Sequence, residues 1–242
     1  MPLKYKFIFL DADETLFDFD TSEYNAFRET VQSYGYAFTD SLYDEYHLVN
    51  KSLWEEFELG KVTKPFLLIE RFRRVINAHG IDTLPEEFAD RFRESLANQC
   101  ILLPGAEEFC RAIAPEAQLY ILTNGITTTQ TRRFERSPIR DLISGLFISE
   151  QIGSPKPNKE FFDAVFAAVP DFDRKSAIMI GDSLSSDIRG GLNAGITTVW
   201  YNPHLVRNKL GVCPDYTATS YEQLLRILRG ETGRVPPHAE VC

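Results

Sequence analysis

The sequence predicts an α/β fold: a parallel sheet layered with helices, interrupted by an all-helical insert. Three observations carry this. Beyond about residue 104, short apolar runs alternate with amphipathic stretches, the rhythm of strands joined by crossover helices. Each apolar run opens into a polar loop. Between the first apolar run, at 6–10, and all the later ones, residues 18–98 show almost no strand pattern and many long helix-forming side chains.

Taken in order, Lys6-Phe-Ile-Phe-Leu10 reads as a strand buried on both faces, because its apolar residues are continuous rather than alternating. In 18–98, apolar residues including Leu53, Trp54, Phe57, Phe66, Leu67, Ile69, Phe72, Val75 and Ile76 recur at helical spacing, and Trp54, Phe57, Phe66 and Phe72 are expected in the helical core. Gly35, Gly60, Pro65, Gly80 and Pro85 punctuate the stretch into four helices. Strands follow at 118–123, 177–181 and 197–201, and helices at 106–114, 127–135, 158–169 and 185–194. Gly195 reads as the glycine that ends the last of these helices. Arg132, Arg133 and Arg136 read as a solvated helix face. The expected domains are an α/β core of 1–17 and 99–230, a helical insert of 18–98, and a disordered tail of 231–242 containing Gly233, Pro236 and Pro237.

Composition narrows the function classes. The 242 residues carry 43% hydrophobic and 25% charged residues, enough apolar content for a substantial core. A formal net charge of −9, from 35 acids and 26 bases, disfavours a nucleic-acid polymer or anionic membrane as partner. It does not disfavour a small anion held at a local positive site. No apolar run approaches a membrane span or a secretory signal. The four cysteines, Cys100, Cys110, Cys213 and Cys242, form no metal-ligand spacing and read as reduced thiols of a cytoplasmic protein. His47, His79, His204 and His238 likewise show no ligand spacing.

The first strand runs directly into Asp11, Asp13 and Glu14. Closely spaced carboxylates repel one another and need positive charge nearby. Three further loops supply matching chemistry: Thr123-Asn124-Gly125, Ser154-Pro-Lys156-Pro157, and Gly181-Asp182-Ser183 with Asp187 a turn later. In a parallel sheet these loops share one edge, where open α/β sheets bind ligands. Asp11 and Asp182 are then expected to share a divalent cation, with Lys156 as a second positive charge. Oxygen ligands suit Mg²⁺. Thr123 and the Asn124 N–H suit phosphate oxygens, and Gly125 a tight turn.

Together these residues resemble a family. Asp11-x-Asp13-x-Thr15, Thr123-Asn124-Gly125, Lys156 and Gly181-Asp182-x4-Asp187 are similar, in order and context, to the four motifs of the haloacid dehalogenase (HAD) superfamily. The resemblance covers about residues 6–229 and implies a Rossmann-like core with the insert as a helical C1-type cap. It implies that Asp11 is a nucleophile forming an aspartyl-phosphate and that Asp13 is the acid and base. It implies that Mg²⁺ is held by Asp11, the Asp13 carbonyl and Asp182. Lys156 would neutralise the cluster and contact phosphate, and Asp187 would orient Lys156 or a metal-bound water. An acid at Asp13 fits phosphatases rather than dehalogenases, since a halide leaves without a proton. Thr15 fits phosphatases rather than sugar-phosphate mutases. Within the insert, Leu53-Trp-Glu-Glu-Phe-Glu-Leu-Gly-Lys61 and Arg71-Phe72-Arg73 resemble the caps of pyrimidine 5′-nucleotidases, which implies nucleoside 5′-monophosphates as substrates.

Other readings are a sugar-phosphate phosphatase or a phosphotransferase on the same site, or a non-catalytic phosphoryl-binding protein. A nucleoside triphosphatase would need a GxxxxGK[ST] loop, and the sequence has none. A receiver domain would need a phospho-acceptor Asp ending a third strand, where this chain is helical.

Overall fold

Phe7-Ile-Phe-Leu10, fully shielded from water, lies inside a six-stranded sheet in the computed structural model, which describes residues 1–231. In chain order the elements are β1 (Phe7–Leu10), α1 (Phe19–Ser33), α2 (Asp40–Glu58), α3 (Lys64–His79), α4 (Pro85–Asn98), α5 (Ala106–Ile113), β2 (Gln118–Thr123), α6 (Thr127–Glu135), β3 (Gly145–Ile148), α7 (Ser149–Ile152), α8 (Lys159–Ala168), β4 (Ala177–Gly181), α9 (Arg189–Asn193), β5 (Thr197–Tyr201), β6 (Tyr216–Ala218) and α10 (Tyr221–Leu228). The described residues form two compact units: Met1–Asp18 with those from Ile101 to 231, and Phe19–Cys100. Beyond residue 231, the tail expected to be disordered lies outside the described residues. Among the described residues no helix is long and apolar enough to cross a membrane.

In the first unit the strands pair in the order β3-β2-β1-β4-β5-β6, and every pair is parallel. Leu10 is in register with Ile121 on one side and Ile180 on the other. The residues that follow β1, β2 and β4 therefore emerge side by side at one edge. The order reverses around β1, which opens the crevice where sheets of this type bind ligands. Phe9 anchors one face, with its ring 5.6 Å from Tyr120, 5.7 Å from Phe166 and 6.0 Å from Phe172. Each such buried side chain contributes ~1.5–3 kcal/mol. The edge strands β3 and β6 have no counterpart in the sequence reading. β3 has four residues, three of them half-buried, and β6 has three, too few to set a period. The helix expected at 185–194 begins instead as a wide π-helical turn, Leu184–Ile188, before α9. Gly195 ends that stretch at φ +70°.

The second unit is four helices. Thr39 Oγ1 caps α2 by accepting from Leu42 N–H at 3.2 Å, and Pro65 and Pro85 stand in the first turns of α3 and α4. Gly80 closes α3 in the left-handed region. Its core stacks aromatics: Tyr46 lies 4.2 Å from Phe27 and 5.4 Å from Phe72, ring to ring. Phe72 belongs to this core as expected. Phe66 does not; it is 45% exposed, and Trp54 and Phe57 are half-buried. Phe66 falls in the first turn of α3, on the side away from the buried stripe of Leu67, Arg71 and Val75. A buried acid, Glu23, sits against the aromatics and accepts from Tyr46 Oη at 3.0 Å, Asn50 Nδ2 at 2.6 Å and His47 Nδ1 at 3.1 Å.

Candidate active site

β1 ends at Leu10, and Asp11 N–H still pairs with the Ile180 carbonyl at 2.9 Å, so the sheet fixes the first acid. The chain then doubles back. Glu14 takes φ 56°, in the left-handed region uncommon for a residue with a side chain, and its N–H donates to the Phe17 carbonyl at 2.9 Å. Asp11 and Asp13 leave this turn toward different partners.

Lys156 approaches Asp11 from the far side of the chain. Its side chain is 1% exposed. Nζ donates to Asp11 Oδ1 at 2.5 Å, to Asp187 Oδ1 at 2.7 Å and to the Leu122 carbonyl at 2.7 Å. All three ammonium protons are thereby used within the protein. Burial works against the charged lysine, but the carboxylates of Asp11 and Asp187 outweigh it and raise its pKa. Burial also pushes the Asp11 carboxyl well above the ordinary range; Lys156 opposes this, while Asp187 and Asp13 add to it. Burial is the main source of that upward pull, the neighbouring carboxylates reinforce it, and more positive charge would relieve it.

Asp182 follows β4 directly, and its carbonyl accepts from Trp200 Nε1 at 2.8 Å. The π-helical turn carries Asp187 back over the strand end, where Oδ2 accepts from Ser183 N–H at 3.1 Å. Gly181 makes room for it: a Cβ there would lie 2.2 Å from Asp187 Oδ2. Asp11, Asp182 and Asp187 each offer a carboxylate oxygen within 4.8 Å of the others. The Lys156 ammonium pairs with two of these acids, Asp11 and Asp187, and three carboxylates against one ammonium make the four ionised side chains net negative. That donor set suits a hard divalent cation. The Asp13 side chain is not part of this group.

Thr123, at the end of β2, is 2% exposed. Its Oγ1 accepts from Gly125 N–H at 2.9 Å and from Gln130 Nε2 at 2.8 Å. With both lone pairs occupied, the hydroxyl is left to act as a donor. The Asn124 side chain grips the Lys156 backbone in both directions: Nδ2 donates to the Lys156 carbonyl and Oδ1 accepts from its N–H, each at 2.9 Å. Asn124 thus ties the second loop to the third.

Two residues absent from the sequence-derived site reach Asp13. Arg133 Nη1 donates to Asp13 Oδ1 at 2.5 Å, and Gln130 Nε2 donates to Asp13 Oδ2 at 2.8 Å. Arg133 is 1% exposed, whereas the sequence predicted a solvated arginine. Arg136 is exposed as expected and Arg132 half-buried. A helical pattern cannot tell which arginine of three turns inward when its partner lies 120 positions away.

The chain matches the family model "haloacid dehalogenase-like hydrolase" over residues 5–195. It belongs to that family. The match spans all four motif loops, and the HAD-like assembly of a six-stranded parallel sheet with surrounding helices agrees with it. Among curated relatives, the chain is 38% identical over 225 residues to pyrimidine 5′-nucleotidase PynA of Streptococcus pneumoniae, covering 93% of this chain and 95% of the relative. It is 36% identical over 226 residues to pyrimidine 5′-nucleotidase YjjG of Escherichia coli, covering 93% and 99%. Among solved structures it resembles the HAD-hydrolase YfnB of Bacillus subtilis, determined bound to magnesium, with a TM-score of 0.89, 32% identity, and 93% and 98% of the two chains covered. The protein is an HAD-family phosphatase.

Proposed function

We propose that this HAD phosphatase hydrolyses nucleoside 5′-monophosphates in a Mg²⁺-dependent reaction through an aspartyl-phosphate on Asp11. The observation that carries the mechanism is the convergence of the Asp11, Asp182 and Asp187 carboxylates on one small volume with Lys156 alongside. The substrate class is supported by the two relatives named pyrimidine 5′-nucleotidases.

Lys156 holds one oxygen of Asp11 and leaves the other to attack phosphorus. As the Asp11–phosphorus bond forms, the bond from phosphorus to the ester oxygen breaks, and Asp13 gives its proton to the departing oxygen. Water then attacks phosphorus, loses a proton to Asp13, and the bond to Asp11 breaks to release phosphate. Thr123 donates a hydrogen bond from its hydroxyl to a phosphate oxygen throughout. Asp187 keeps Lys156 in place, and Asn124 keeps the Lys156 loop in place. Asp11 and Asp182, with the Asp13 carbonyl, would hold Mg²⁺, whose charge lowers the repulsion between a carboxylate nucleophile and a phosphate dianion.

The test is phosphate release from a panel of nucleoside monophosphates and sugar phosphates, with Mg²⁺ and with EDTA. Mg²⁺-dependent release led by pyrimidine monophosphates is expected. Release led by sugar phosphates would reject the substrate class and keep the mechanism. Asp11→Asn, folded by circular dichroism, is expected to lose at least roughly a thousandfold in kcat, about 4 kcal/mol of transition-state stabilisation. Substantial residual turnover would reject the covalent route.

A further inference from the structure

Gln130 and Arg133, which both donate to Asp13, come from one helix. They are three residues apart in α6, so their side chains project from the same face. Both are buried, at 5% and 1% exposure. Burying a guanidinium is costly unless it is paired. Here Nη1 donates both to Asp13 Oδ1 at 2.5 Å and to Gln130 Oε1 at 2.9 Å. The guanidinium also lies over the Phe17 ring, 4.9 Å from its centre. Phe17 is itself fixed by main-chain pairing with Asp13 and Leu102.

Gln130 completes the arrangement. Its carboxamide nitrogen donates to Asp13 Oδ2 and to Thr123 Oγ1, both at 2.8 Å. Its oxygen is occupied by Arg133. The amide orientation is thus determined on both sides, since a flipped amide would set its oxygen against Asp13. Gly125 provides the space: a Cβ there would come within 2.6 Å of Gln130 Cγ and Nε2. Its φ is outside the left-handed range, so Gly125 is needed for close approach and not for the tight turn that the sequence suggested.

We infer that Gln130 and Arg133 are positioning residues, which fix the carboxyl plane of Asp13 for proton exchange and lock it to the phosphate-contacting Thr123. Each oxygen of Asp13 has its own donor, so neither rotation about the side chain nor exchange of the two oxygens is free. This inference rests on the assignment of Asp13 as acid and base made above. Thr123 and Asp13 act on different oxygens of the same ester, one on the phosphoryl group and one on the leaving group. Gln130, bonded to both, sets their separation. Loss of positioning matters most when the leaving oxygen is a poor one, because protonation then contributes most to the barrier.

The experiment compares kcat and KM for uridine monophosphate, a poor alkoxide leaving group, with p-nitrophenyl phosphate, an activated one. The proteins are wild type, Gln130→Leu, Arg133→Lys, Asp13→Asn and the double variant Asp13→Asn/Gln130→Leu, each checked by thermal melting. Arg133→Lys keeps the charge and most of the stem, so it guards against a variant that fails to fold. Gln130→Leu is expected to lower kcat for uridine monophosphate by about tenfold or more, the scale of one hydrogen bond to a charged group. The loss for p-nitrophenyl phosphate is expected to be about threefold or less, with KM changed less than kcat. In the Asp13→Asn background the same substitution should add nothing further. Equal losses on both substrates, or losses that add to those of Asp13→Asn, would overturn the inference and leave Gln130 a packing residue. If Asp13→Asn itself shows no dependence on the leaving group, the acid-base assignment fails and this inference with it. A wild-type protein that releases no phosphate from either ester would overturn both.

Discussion

Lys156 Nζ lies 2.5 Å from Asp11 Oδ1, although the two residues are 145 positions apart in the chain. The same ammonium reaches Asp187 at 2.7 Å. Removing it leaves two buried carboxylates facing each other without their cation. Lys156→Met is therefore expected to lose about 3–5 kcal/mol of stability, the usual cost of breaking a buried pair from one side. Urea unfolding would measure it, and turnover should fall to background. A loss below about 1 kcal/mol would mean that water or cations already compensate these acids.

Binding a cation to the folded state alone raises stability by mass action. Millimolar Mg²⁺ is expected to raise Tm of the wild-type protein, and EDTA to reverse the rise. Asp182→Asn removes one charged ligand and should abolish most of the shift while leaving the Tm without metal close to wild type. An unchanged Mg²⁺ shift in Asp182→Asn would place the cation elsewhere.

Gly181→Ala tests the close approach of Asp187. A methyl group at 2.2 Å from a carboxylate oxygen cannot be accommodated without moving the turn. The expected cost is about 1–3 kcal/mol in stability. Activity should fall as well, because Asp187 no longer meets Lys156. Full activity in this variant would show that Asp187 is not needed where it stands.

In the helical unit, the hydrogen bond to Glu23 raises the His47 pKa above its ordinary value of 6.5; burial opposes this, and the charges of Glu23 and Asp20 assist it against Lys51. A folded-state pKa above the unfolded one stabilises the protein fully below the unfolded value, and the benefit is lost as pH rises through the folded value. The stability difference between wild type and His47→Gln should thus be largest below the ordinary value of 6.5 and shrink as pH rises above it. Urea midpoints on both sides of that value would report it. A gap that is flat or grows with pH would remove the charged pair from the account.

The sequence by itself determined the four inner strands, the order of the loops and the identity of the acids. Those signals are local: an apolar run such as Phe7–Leu10 marks its own strand, and Asp11, Lys156 and Asp182 stand beside the runs and prolines that delimit their loops. A parallel sheet then brings the loops to one edge whatever else the chain does. Tertiary structure alone decided which polar residues turn inward. Arg133 and Arg136 are indistinguishable in a helical pattern, yet one is buried against Asp13 and the other exposed. Phe66 is as apolar as Phe72 but lies off the packed stripe of α3. Gly125 reads as a turn glycine, and only the position of Gln130 shows that it is there to leave space. In each case the deciding partner sits elsewhere in the fold, and burial of a charge or a ring depends on that partner and not on the residue's own neighbours in sequence.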